Sequence, residues 1–164
     1  MTRVIVGGHP VAMLGNHACV IILADPCGEY KDDARFSQTI KLDGRTWICA
    51  VLSSSERNVG ISGGLVAWVN RAGEIEKLRT KRELAASEAD VKALLACDEY
   101  FRVNYNGKLR YWVFPAKHSN SFNSNSYVFS LLTHAGLIPP NFSNFVIGGF
   151  AGWERLIPAD MFGV

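Results

Sequence analysis

The run HACVIILA, His17 to Ala24, constrains the fold of this chain more than any other stretch. It is continuously apolar behind a leading histidine and reads as a buried strand. A buried strand needs neighbours, and the sequence places them close by. RFSQTIKL reads as a second strand, Asp43-Gly44 is a strong two-residue hairpin signal, and RTWICAVLS reads as the return strand, rich in β-formers. The first third of the chain is therefore expected to form an antiparallel meander, with His17 on its first long strand. DPCGEYKDD between them reads as a loop, and His9, in GGHP, as part of a turn.

The pattern then changes. Ser53 to Gly64 is a loop by composition, and LVAWVN is apolar but undecided between strand and helix. Ser87 and Asp90 form a variant capping box, and Val91, Leu94, Leu95 and Phe101 follow helical spacing, which predicts a helix from Glu88 to Tyr100. Asn106-Gly107 marks a turn and LRYWVF a strand ended by Pro115. AKHSNSFNSNS is polar and irregular. YVFSLLTHA predicts a second helix, with Gly136 as its C-terminal stop. The tail, rich in aromatic residues, Gly and Pro, is expected to cross the domain as extended chain. The expected whole is one α+β domain over residues 1–164, a mostly antiparallel sheet with helices packed on it.

Composition removes several function classes. With 48% hydrophobic and 20% charged residues the chain is an ordinary globular mixture, so wholesale disorder is not expected. A net charge of +2 makes no electrostatic case for nucleic acid. The basic residues from Lys77 to Arg82, with Glu74, Glu76 and Glu83 around them, read as a solvated face. No apolar run approaches the ~20 residues of a membrane span. The N-terminus has no apolar core of a Sec signal, so a cytoplasmic location or export without such a signal is expected. Cys19, Cys27, Cys49 and Cys97 form no C-x-x-C pair and are expected to be free thiols. No His/Cys/Asp cluster stands at metal-ligand spacing and no nucleotide-binding motif is present, so neither metal nor cofactor is expected.

The chemistry-bearing stretch is NSNSYVFSLL, from Asn123. Ser124 falls at or beside a helix start, where unpaired N–H groups and the positive end of the helix dipole can stabilise an oxyanion. A serine nucleophile also needs a base. Of His9, His17, His118 and His134, His17 sits on a rigid strand and is the first choice; His118, close in sequence, is the alternative. His134 is at the far end of the helix, roughly 15 Å away at 1.5 Å per residue. Asn123, Asn125, Asp43 and Ser53 to Ser55 are candidates to orient the base or, for the two asparagines, to hold the oxyanion. The plain alternatives are an N-cap serine without chemistry and a core histidine bonded to a carbonyl. The pairing of the two residues brings the chemical reading level with the plain one.

A strand histidine in NHACVIIL followed much later by N-S-N-S-Y opening a helix resembles the circularly permuted papain-like hydrolases. That group includes the PPPDE deubiquitinase-like peptidases and the lecithin:retinol acyltransferase and NlpC/P60 relatives. Their nucleophile is a cysteine in an Asn-Cys-x-x-aromatic motif, and Ser124 stands at the cysteine's place. The resemblance implies a hydrolase or acyltransferase acting on amide or ester bonds of a peptide, peptidoglycan or lipid substrate, with Ser124 and His17 as catalytic dyad. A serine in that place equally suits a pseudoenzyme that grips a peptide, or a replaced cysteine. The tail NSNSYVFSLLTHAG…GW…IP resembles segments near the C-termini of bacterial toxin-like proteins, which implies an effector domain with an immunity protein as partner. A competing G-x-S-x-G match at Gly60 to Gly64 lacks the preceding core strand that a nucleophile elbow requires and reads as a glycine-rich loop.

Overall fold

A computed structural model describes residues 1–11, 15–56, 62–71, 74–115, 120–143 and 149–164. Among them, eight strands form one sheet: β1 (Thr2–Val11), β2 (Gly15–Ala24), β3 (Gln38–Leu42), β4 (Arg45–Glu56), β5 (Ser62–Val69), β6 (Thr80–Leu84), β7 (Arg110–Trp112) and β8 (Ser121–Phe122). The order across the sheet is β6-β1-β2-β4-β5-β7-β8, with β3 also on β4. All pairs are antiparallel except β7 with β8. Three helices accompany it: α1 (Glu74–Lys77), α2 (Glu88–Asn104) and α3 (Ser124–His134). The α+β, mostly antiparallel expectation matches this architecture. No helix among the described residues is long and apolar enough to cross a membrane.

Strand alternation gives the sheet two apolar faces. Val4, Val6, Ala18, Val20, Ile22, Ala50 and Leu52 face the main core, closed by Val91, Leu94 and Phe101 of α2 and by Tyr127, Val128 and Leu131 of α3. Ile5, Cys19, Ile21, Leu23, Trp47, Cys49 and Val51 face a smaller cluster, covered by Leu78 beside α1. His17 shares the register of Cys19 and Ile21 and so belongs to this second face. All four cysteines are free, and only Cys27 is exposed.

Several segments differ from the sequence reading: the first long strand is β1, and His17 lies on the second. The GGHP stretch is not a turn: His9 lies within β1, paired with His17 on β2. Its glycines serve close packing instead. A Cβ on Gly8 would lie 2.5 Å from Phe150 Cζ, and one on Gly7 2.5 Å from Leu78 Cδ2. Ser53 to Glu56 and Ser62 to Gly64 are strand, not loop, because pairing with β5 and with β7, respectively, overrides their polar composition. Residues 57–61, which include the start of the G-x-S-x-G match, lie outside the described residues. The helix predicted from Glu88 to Tyr100 is longer than expected at its C-terminal end, running to Asn104.

A buried polar link joins the two long helices. Tyr127 Oη donates to Asp98 Oδ1 at 2.6 Å, and Arg102 Nε donates to Asp98 Oδ2 at 2.7 Å. Burial pushes the Asp98 carboxyl above its ordinary range, while both donors pull the other way. Tyr127→Phe strands a buried carboxylate oxygen and is expected to destabilise the fold by roughly 1–3 kcal/mol. The check is a lower urea midpoint with an unchanged slope.

Candidate active site at the parting of two strands

β2 and β4 pair only from Val20 to Ala24 on one strand and Ile48 to Leu52 on the other. Beyond Val20 the edge of β2 leaves its partner, and the first turn of α3 takes over. Asn125 Oδ1 accepts from the Ala18 N–H at 2.8 Å, and Asn125 Nδ2 donates to the Asn16 carbonyl at 2.9 Å. One carboxamide thus replaces a rung of the missing ladder and clamps the backbone on both sides of His17.

The rest of the NSNS motif is built into the same joint. Asn123 is the N-cap of α3: its Oδ1 accepts from the Ser126 N–H at 3.0 Å. Its Nδ2 donates to the carbonyls of Val113 at 3.0 Å and Ala151 at 2.7 Å. Asn125 Nδ2 also reaches Ala151, at 2.9 Å. Ser126 Oγ lies 3.1 Å from the Gly152 carbonyl. Gly152 holds a positive φ of 81°, and a Cβ there would come within 2.6 Å of Asn123 Oδ1, so this contact requires glycine. Both asparagine side chains are therefore engaged with backbone groups. They orient the main chain around the site rather than the ring of His17.

Ser124 differs from its neighbours. It is buried, yet its hydroxyl enters none of the hydrogen bonds that hold Asn123, Asn125 and Ser126. It borders a small cleft of about 50 Å³ together with His17, Asn16, Asn125, Tyr111 and Val113. The structure thus brings Ser124 and His17 to one cleft, beside the point where the β2–β4 ladder has ended. Tyr111 joins them with a phenol that burial, and secondarily the charge of Glu56, push above its ordinary range, so it stays protonated at neutral pH. A larger cavity of about 890 Å³, lined by Phe122, Trp153, Arg155 and Leu156 among others, shares Ala151 with the cleft.

The partner of His17 is Glu74 on α1. His17 Nε2 lies 3.4 Å from Glu74 Oε1, and His9 Nε2 lies 3.4 Å from Glu74 Oε2. The two imidazoles are a cross-strand pair with ring centroids 5.0 Å apart. Burial works to raise the Glu74 carboxyl, but the two rings together hold it well below the usual carboxylate range. At 3.4 Å these are electrostatic contacts, longer than an ordinary N–H···O bond.

The expected orienting groups fall elsewhere. Asp43 is bound to Arg3 at 2.7 Å, six residues along β1 from His9 and about 20 Å distant at 3.3 Å per residue. Ser53 and Ser54 are buried on β4, and Ser55 Oγ accepts from Trp68 Nε1. His118 lies outside the described residues. His134 is held by the Ile157 carbonyl. Glu74 escapes sequence reading because it sits in a charge-rich stretch whose other acids, Glu76 and Glu83, are indeed exposed. Nothing in its spacing from His9 or His17 signals the encounter. No family model, curated protein or solved structure matches this chain.

Proposed function

We propose that this protein is a hydrolase or acyltransferase of the permuted papain-like kind, working on an amide or ester bond with Ser124 as nucleophile. The observation that carries the reading is the shared cleft of Ser124 and His17, with Asn125 fixing the helix start to the backbone on either side of the histidine. In this reading Glu74 draws the N–H of His17 to Nε2, leaving the Nδ1 lone pair to take the Ser124 proton. Ser124 Oγ attacks the carbonyl carbon. The oxyanion is met by the backbone N–H groups of Ser124 and Asn125 at the positive end of α3. The imidazolium then protonates the leaving group, and water or an acceptor alcohol or amine releases the acyl group from Ser124. The larger neighbouring cavity, walled by aromatic residues and Arg155, would hold the flanking part of a peptide, peptidoglycan or lipid substrate. In a bacterial effector setting the same mouth is the surface that an immunity protein would cover.

Turnover of an activated ester such as p-nitrophenyl acetate tests the assignment. Ser124→Ala is expected to fall to the uncatalysed background while its thermal unfolding stays near wild type. Ser124→Cys is expected to retain or raise turnover, since a thiolate needs less help from its base. Unchanged turnover in Ser124→Ala removes this serine as nucleophile.

A further inference from the structure

We propose that His9, His17 and Glu74 form a binding site for a divalent transition-metal ion, zinc foremost, at the back of the cleft. One ring nitrogen of each histidine and a Glu74 carboxylate oxygen all lie within 4.8 Å of one another. Two ligand atoms each about 2.0–2.1 Å from a tetrahedral zinc stand roughly 3.3 Å apart. His9 Nε2 and His17 Nε2 each lie 3.4 Å from a Glu74 oxygen, Oε2 and Oε1 respectively, a spacing that suits an ion between carboxylate and rings better than direct charge-assisted hydrogen bonds of about 2.7–2.9 Å.

A second observation points the same way. His17 Nε2 and Glu74 Oε2 are buried and have no hydrogen-bond partner among the described residues. The side chains that carry them are only 10% and 5% exposed. Buried polar atoms are ordinarily paired, and two orphans within one His/His/Glu cluster suit an ion that would satisfy both. His9 Nδ1 lies 3.4 Å from its neighbour's carbonyl, Pro10 O, a contact that favours an N–H on Nδ1 and a lone pair on Nε2. Two imidazoles and one carboxylate are the ligand set of a three-ligand zinc site; calcium and magnesium prefer oxygen alone. The sheet itself fixes the geometry, because the two histidines are directly opposed in the β1–β2 ladder.

Occupancy has a consequence that rests on the hydrolase reading. A metal on His17 Nε2 takes that lone pair, and the ring's single proton then resides on Nδ1, the nitrogen that must be bare to accept from Ser124. The metal-bound and catalytically competent states of His17 exclude each other, so the ion acts as an inhibitor.

The test is titration of the metal-free full chain with zinc, carried out in a Cys27→Ser background to remove the exposed thiol. One ion per chain is expected. His9→Gln and Glu74→Gln should each weaken binding by at least the roughly 10–100-fold that losing even outer-shell support costs, and His134→Gln should not. Wild-type protein loaded with cobalt supplies a readout that needs no variant: strong visible bands of a tetrahedral ion are expected. Absence of stoichiometric zinc binding, binding indifferent to His9 and Glu74, or an octahedral cobalt spectrum overturns the site. Zinc binding with no esterase activity in the metal-free chain leaves the site standing and removes the hydrolase reading. Esterase activity in a chain that binds no zinc does the reverse.

Discussion

His17→Gln is expected to lower turnover of an activated ester by roughly 10²–10⁴-fold, the contribution of a positioned general base. The amide of glutamine cannot accept the Ser124 proton, while the strand beneath it stays in place. That strand is held by the full β1–β2 ladder and by Asn125, neither of which uses the imidazole. Thermal unfolding should therefore move little and KM should be largely kept. The control is His118→Gln, for which no loss is expected. If the control abolishes turnover and His17→Gln does not, the base is His118 and His17 is a core histidine leaning on a buried carboxylate.

The largest effect on stability is expected one residue before Ser124. Asn123→Ala removes the N-cap of α3 and both donors to the Val113 and Ala151 carbonyls. A lost cap costs about 1 kcal/mol, and a buried acceptor left unpaired about 1–3 kcal/mol more. The sum is on the order of 2–4 kcal/mol, read as a lower urea midpoint at unchanged slope. Ser124→Ala, whose hydroxyl enters none of the motif's bonds, is expected to stay within about 1 kcal/mol of wild type. Neighbouring residues of one motif then separate: the asparagines hold the joint together, and the serine between them does not.

The motif and the long strand were both legible because each is a local signal. HACVIILA can be little other than a buried strand, and an Asn/Ser pair ahead of an apolar run with a glycine behind it marks a helix at both ends. The strand character of Ser53 to Glu56 was not legible, since polar residues become strand there only through pairing with β5. His9 was hidden by two glycines that locally suggest a turn and here make room for Leu78 and Phe150. Glu74 was hidden more deeply. Its burial depends on α1 folding back over β1, with Leu78 pressed against Gly7, and no periodicity in the sequence encodes that return. The candidate dyad could thus be read from residue types and order, whereas its carboxylate partner is visible only in three dimensions.

Labelling by a fluorophosphonate probe, followed by peptide mapping, tests the central claim most directly, because the probe forms a stable adduct only with an activated serine and needs no knowledge of the substrate. The predicted result is a single adduct on Ser124 of the metal-free wild-type chain, absent in Ser124→Ala and formed far more slowly in His17→Gln. No adduct on Ser124 in a folded, metal-free wild-type protein would contradict the account, leaving a cleft that grips its ligand without cutting it.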